Sequence, residues 1–245
     1  TRFHLVWNVI YPVLFYIIPS DCIYTVLTMV ITEGTVSDMI LQILTVLFSC
    51  PGIFFIYYND RKTERLLKTE QTKRNQGNNR KLIPKMMRVI LICFAAGLLA
   101  IALNNLILMT PLPAQSLGYQ KATHAFFSST LMIELLGTSV ITPVVEEVLY
   151  RGLVYKRIRR FGRILPSVVL SAVIFGAAHF NLVQFLYAGL IGAFLAFVLE
   201  TEQDLYAPVL AHAVANALSV LRVETGFLGW LTKENVFFLP ISIVM

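Results

Sequence analysis

Residues 135–163 read LLGTSVITPVVEEVLYRGLVYKRIRRFGR, a mainly apolar stretch that ends in a cluster of five positive charges. Before that cluster, its only charged residues are Glu146, Glu147 and Arg151. About 20 mainly apolar residues are enough to cross a membrane as a helix. Lys and Arg concentrate in cytoplasmic loops, so the basic cluster at 156–163 predicts the cytoplasmic end of this helix. We therefore predict a membrane helix that carries ionisable side chains.

The rest of the chain has the same character. Of its 245 residues, 57% are hydrophobic and only 14% are charged, which is too little charge for the surface of a soluble domain. We predict an all-α fold, a polytopic transmembrane helix bundle of about seven to eight helices. The predicted spans are 3–31, 38–58, 86–109, 125–155, 164–180, 182–199 and 205–221. The apolar segment 236–245 is too short to cross alone.

The distribution of charge predicts both the organisation and the orientation of the chain. We divide it into N-terminal transmembrane helices at 1–110, with a basic cytoplasmic loop at 59–85, a helical core at 125–221 and a C-terminal apolar segment at 222–245. With both basic loops in the cytoplasm, sixteen basic residues lie inside and only Lys121, Arg222 and Lys233 lie outside. The N-terminus is then cytoplasmic. The net charge of +6 comes from these loops, so we expect membrane lipid as a partner and no nucleic acid.

The ionisable residues inside the predicted spans are the candidate functional residues, because such groups are costly in a membrane. Glu147 and Arg151 lie four residues apart on one helix face and can pair with each other. Glu146 points about 100° away and has no obvious partner in its own helix. A carboxylate of this kind is suited to act as a general base. For Glu147 and Arg151 a purely structural ion pair is the simpler interpretation.

Two further spans contribute a histidine each. Phe175 and His179 lie four residues apart, with small residues between them that allow close helix approach. His212 and Asn216 have the same spacing. A single histidine is usually a core residue, but two of them beside an unpaired glutamate favour a shared catalytic site. His179 is sixteen residues from Arg163, about 24 Å at helical rise, so the set meets only if the fifth span begins low in the membrane or is tilted.

These three motifs, in this order on separate membrane helices, resemble the CPBP family, which contains the type II CAAX prenyl endopeptidases and the bacterial Abi proteins. The resemblance covers about residues 125–221 and implies a glutamate-dependent membrane endopeptidase whose site opens toward the cytosol. It implies that Glu146 and His179 activate water and that His212 and Asn216 stabilise the oxyanion. The supporting residues would be Glu147, Arg151 and Phe175.

Cofactor and substrate are predicted less closely. Glu146, His179 and His212 form a ligand set that catalytic zinc also uses, but no His-Glu-xx-His motif is present. We favour a site without a metal and keep zinc as the alternative. The expected substrate is a small membrane-associated or lipidated peptide that enters from the cytosolic side. The expected location is a bacterial cytoplasmic membrane, because a short chain without added domains is typical of the bacterial relatives, which act in peptide maturation, export and bacteriocin immunity.

Two other functions are compatible with the same residues. The chain could be a non-catalytic immunity or scaffold protein of this family that has kept the polar core. It could also be a proton-linked transporter, since buried Glu and His side chains relay protons. No inverted repeat supports the transporter.

Overall fold

The fold is all-α, as predicted. The computed structural model describes residues 2–31, 34–71, 83–228, 230–231 and 238–244. Its helices are α1 Arg2–Val30, α2 Asp38–Gln71, α3 Lys85–Leu108, α4 Leu112–Gln115, α5 Leu117–Phe126, α6 Leu131–Arg159, α7 Ile164–Ala177, α8 Leu182–Glu202, α9 Tyr206–Thr225 and α10 Phe238–Val244. By length and composition, α1, α2, α3, α8 and α9 can each cross a membrane, and the bent pair α5–α6 would make a sixth span. The protein is therefore an integral membrane helix bundle.

Several predicted boundaries were wrong. Helix α2 continues to Gln71, so the first part of the predicted 59–85 loop is helical; residues 72–82 lie outside the described part of the chain. The segment between the predicted third and fourth spans contains α4 and α5. Ser116 caps α5 by accepting a hydrogen bond from the Tyr119 N–H at 3.3 Å.

Two of the predicted spans also differ. The fourth, at 125–155, is broken by a bend of 113° between α5 and α6. The fifth, at 164–180, contains only the 14 residues of α7, which at helical rise is about 21 Å and too short to cross.

Ion pairs join the helix termini at one end of the bundle, which we call the basic end. They join the end of α6 to the second half of α2 and to the last turn of α8, and they join the start of α3 to α8 and to Asp204 just before α9. The pairs, with their N–O distances, are Arg157–Asp60 at 2.8 Å, Arg88–Glu202 at 2.8 Å, Arg159–Glu200 at 3.1 Å, Arg160–Glu64 at 2.6 Å and Lys85–Asp204 at 2.5 Å. The opposite end, which we call the cavity end, is formed by α4, α5, the turn at 178–181 and the last turns of α3 and α9.

An apolar core separates the two ends. Leu149, Leu153, Leu195 and Ala211 are all fully buried, and Leu199 is nearly so. Close packing of α7 against α8 extends this core: a Cβ added at Gly176 would lie 2.7 Å from a backbone carbonyl oxygen of α8. Gly176 is one of the small residues between Phe175 and His179, and it allows the close helix approach that the sequence predicted.

Candidate active site

The four residues predicted as catalytic all line one cavity of about 500 Å³. Glu146 comes from α6, His179 from the turn after α7, and His212 and Asn216 from α9. Phe175 forms part of the same wall. The sequence placed His179 deeper in the membrane than the other three residues. It still lines the same cavity, because the cavity extends along α6 to the end of α7. The structure therefore brings the predicted set together.

Beside the cavity lies a buried network of charged groups. Glu147 and Arg151 form the predicted ion pair, with 2.9 Å between Glu147 Oε1 and Arg151 Nη1, and their side chains are 0% and 2% exposed. The same carboxylate oxygen accepts a hydrogen bond from His212 Nδ1 at 2.8 Å. Arg151 Nη2 donates to the carbonyl oxygen of Gly192 at 3.1 Å. Arg151 thus holds Glu147, and Glu147 fixes the ring of His212.

The hydrogen bond to Glu147 decides what the other nitrogen of His212 can do. Because Nδ1 donates to a carboxylate, Nε2 carries the lone pair in the neutral ring and donates only when the ring is an imidazolium. His212 Nε2 lies 3.7 Å from Glu146 Oε2, which is longer than a hydrogen bond. Glu146 is 18% exposed at this point. Its carboxylate is thus near the imidazole without being bonded to it.

His179 is oriented in a similar way. Its Nδ1 donates to the Phe175 carbonyl oxygen at 3.0 Å, so Nε2 is left as the acceptor of the neutral ring. The Phe175 ring meets the rings of His179 and His212 edge-on, with centroids 5.2 Å and 6.0 Å away. The Arg151 guanidinium lies 4.3 Å from the centroid of the same ring. Phe175 therefore packs against three members of the predicted site.

Asn216 is positioned by an irregularity in α6 that the sequence analysis missed. Residues 135–141 are π-helical, and the Thr142 N–H donates to Gly137 O instead of Thr138 O. The next residue, Pro143, has no N–H to offer. The Thr138 carbonyl is thereby left to accept a hydrogen bond from Asn216 Nδ2 at 2.7 Å. Pro143, the proline inside this apolar stretch, was the signal available in the sequence.

Gly192 is a second residue whose part was not predicted. A Cβ at Gly192 would lie 2.8 Å from Phe175 Cδ1 and 3.1 Å from Arg151 Nη2. Gly192 thus makes room for the side chains that anchor the site and also supplies the carbonyl that Arg151 binds.

We expect Gly192→Ala to destabilise the protein by about 1–3 kcal/mol, the usual cost of overpacking a core. The matched control is Gly189→Ala in the same helix, where a Cβ would meet only Ala172 O at 3.7 Å, an ordinary contact. The difference in stability is measured by heating both purified variants in detergent and monitoring the loss of the monodisperse peak in size-exclusion chromatography. Equal melting temperatures for the two variants would contradict the packing described for Gly192.

The arrangement does not form a recognisable metal centre. Among the residues that the structure describes, no three His, Cys, Asp or Glu side chains are grouped so as to hold a metal ion. Both histidines use Nδ1 for bonds within the protein, so only Nε2 of each is available as a ligand. The zinc alternative therefore stays a prediction.

Comparison with known proteins identifies the same part of the chain. Residues 128–218 match the model of the family described as type II CAAX prenyl endopeptidase Rce1-like. A curated relative, the Bacillus subtilis protein named "Putative membrane peptidase YdiL", is 24% identical over 87 residues, which cover 36% of this chain and 36% of the relative. No solved structure gives a significant match. The matched region falls within the predicted core at 125–221 and contains every residue of the candidate site.

Proposed function

Since residues 128–218 carry the features of the Rce1-like type II CAAX prenyl endopeptidases, we propose that this membrane protein is an endopeptidase that cleaves a membrane-associated or lipidated peptide with water activated by Glu146 and His179. One observation carries the proposal: Glu146, His179, His212 and Asn216, from three separate parts of the chain, line a single cavity. A carboxylate and an imidazole can activate water for hydrolysis of an amide, and an imidazolium and a carboxamide can donate to the oxyanion that forms.

Glu146 is the proposed general base. Its carboxylate is partly exposed to the cavity and lies 3.7 Å from an imidazole without a hydrogen bond to it, so it is available to accept a proton from water. His179 binds that water through Nε2, because its Nδ1 is already bonded to Phe175 O. The water oxygen then adds to the peptide carbonyl carbon as its proton moves to Glu146.

His212 and Asn216 are the proposed donors to the oxyanion. Asn216 Nδ2 has two hydrogens, and one of them is bonded to Thr138 O, which leaves the second for the substrate oxygen. His212 donates through Nε2 as an imidazolium whose Nδ1–H remains on the Glu147 carboxylate. When the intermediate collapses, the C–N bond breaks and the proton held by Glu146 passes to the leaving amine. The products are a free carboxyl group and a free amino group.

The test of this function is cleavage of synthetic precursor peptides by the purified protein in lipid vesicles, with products identified by mass spectrometry. We expect the wild type to give new peptide termini and Glu146→Ala to give none. If no peptide is cut by the wild type, or if Glu146→Ala cuts equally well, the proposed function is wrong.

We expect Asn216→Ala to slow turnover by about 10²–10³-fold, the usual effect of removing one oxyanion donor. The loss should appear in kcat with little change in KM, because the donor acts mainly in the transition state. Ser219→Ala, one turn further along the cavity wall of α9, is the matched control and should turn over normally. An Asn216→Ala enzyme as fast as this control would remove Asn216 from the mechanism.

Metal analysis distinguishes this mechanism from the zinc alternative. We expect less than stoichiometric zinc in the purified protein and unchanged peptide cleavage after chelation. Stoichiometric zinc, together with activity that is lost on chelation and restored by added zinc, would establish the alternative.

We further propose that the N-terminus lies in the cytoplasm of a bacterial cell. The support is the charge distribution: sixteen basic residues are assigned to one side and three to the other. The described ion pairs agree with that assignment, because the arginines at the ends of α6 and at the start of α3 lie at the same end of the bundle.

A further inference from the structure

The cavity lies in the half of the bundle away from the basic end. On α3 it is lined by residues of the last turns, Asn104 and Leu108, whereas Lys85 and Arg88 lie at the start of that helix. Helix α8 runs in the opposite direction to α3, so its lining residues lie near its start, far from Glu202 at its end. In α9, the lining residues lie between 212 and 223, away from the start of that helix at the basic end.

The cavity reaches the surface at the cavity end. Leu108 and Val223, which are the lining residues near the ends of α3 and α9, are 40% and 54% exposed. In the other direction, Leu153, Leu195 and Leu199 are fully or almost fully buried between the site and the ion pairs of the basic end. The cavity is therefore open at the cavity end and is separated from the basic end by packed apolar side chains.

Two expectations from the sequence now exclude each other. The charge distribution places the basic end in the cytoplasm, and the family resemblance implied a site open to the cytosol. Both would hold only if the cavity were at the basic end, and it is at the other. The charge distribution concerns this chain itself and counts sixteen basic residues against three, so it decides the orientation.

We propose that the active site opens to the non-cytoplasmic face and that its substrate is a peptide presented there, after or during its export. The identity of the substrate as a peptide rests on the proposed function. The direction of access does not, since it follows from the position of the cavity.

Cysteine accessibility tests the direction of access without any catalysis. Cys22, Cys50 and Cys93 are first replaced by Ser in the full chain. Single cysteines are then introduced as Ser219→Cys inside the cavity and Val223→Cys at its mouth. Matched exposed controls are Lys62→Cys at the basic end and Lys121→Cys on α5. The probe is a membrane-impermeant sulfonated maleimide, applied to intact bacterial spheroplasts and to inverted membrane vesicles.

We expect the two cavity cysteines and the α5 control to react in spheroplasts, and the basic-end control to react only in inverted vesicles. The proposal is overturned if the cavity cysteines react together with the basic-end control. It is equally overturned if Ser219→Cys reacts from neither face while Val223→Cys reacts, because the cavity would then be closed to water.

A second readout separates this proposal from the proposed function. Peptide added outside intact spheroplasts should be cut at least about tenfold faster than the same peptide added to inverted vesicles. Labelling from the outer face with no cleavage in either preparation would refute the peptidase and leave the direction of access established.

Discussion

Glu146→Gln is expected to lower kcat/KM for peptide cleavage by about 10²–10⁴-fold, the range usually lost with a general acid–base group. The amide keeps the size of the side chain but cannot accept the proton of water. Folding should change little, because Glu146 is partly exposed and the His212 imidazole beside it is 3.7 Å away, beyond hydrogen-bond distance. Steady-state cleavage of one peptide and the melting temperature in detergent measure the two effects on the same preparation.

Glu224→Gln is the matched control, since it makes the same chemical change at an exposed position in the last turn of α9. It should leave both the rate and the melting temperature unchanged. A Glu146→Gln protein that cleaves as fast as Glu224→Gln would show that the base lies elsewhere. A Glu146→Gln protein that fails to fold would contradict the described lack of bonding at Glu146.

Arg151→Ala should instead reduce stability and activity together. Removal of the guanidinium leaves the fully buried Glu147 carboxylate without its counter-ion, which typically costs 3–5 kcal/mol. It also leaves the Gly192 carbonyl without its donor and removes packing from the Phe175 ring. We expect a sharp loss of purified yield, a lower melting temperature and almost no peptide cleavage.

Two variants distinguish charge imbalance from simple loss of an arginine. Arg163→Ala removes an exposed arginine at the start of α7 and should behave as the wild type. The double variant Glu147→Gln with Arg151→Met removes both charges, while the Gln carbonyl can still accept from His212 Nδ1. It should regain at least half of the melting temperature lost in Arg151→Ala. Normal yield and activity of Arg151→Ala would contradict the role given to this ion pair.

Much of this site is readable from the sequence because its signals are local or costly. Charged groups inside apolar helices are rare unless they have a function, which drew attention to Glu146, Glu147 and Arg151. Helical spacing of four residues then paired Glu147 with Arg151, and the structure shows that pair. The bundle itself followed from composition and apolar length.

Other features depend on contacts that no local pattern encodes. The hydrogen bond from Asn216 to Thr138 arises because a π-helical turn followed by Pro143 leaves the Thr138 carbonyl without a donor from its own helix. The fit of Gly192 beneath Phe175 depends on how closely α8 approaches α7. The boundary errors at α5 and α7 have the same origin, since an apolar run predicts that a helix is buried but not where it bends.

The position of the cavity is the most consequential of these features. The sequence places basic residues and candidate catalytic residues on the same helices, and spacing along one helix gives only their separation. Which end of the bundle is open depends on how α5, α8 and α9 enclose the space between them. For that reason the expected entry from the cytosolic side is replaced by the proposal of access from the opposite face.

Whether the cavity residues act as one unit is tested most directly by a double-mutant cycle on kcat/KM with Glu146→Gln, His179→Ala and the variant that combines them. Groups that activate the same water are strongly non-additive. We therefore predict that the combined variant is at most about threefold slower than the slower of the two single variants. If the two single losses multiply in the combined variant, Glu146 and His179 act independently, and a shared water between them is contradicted.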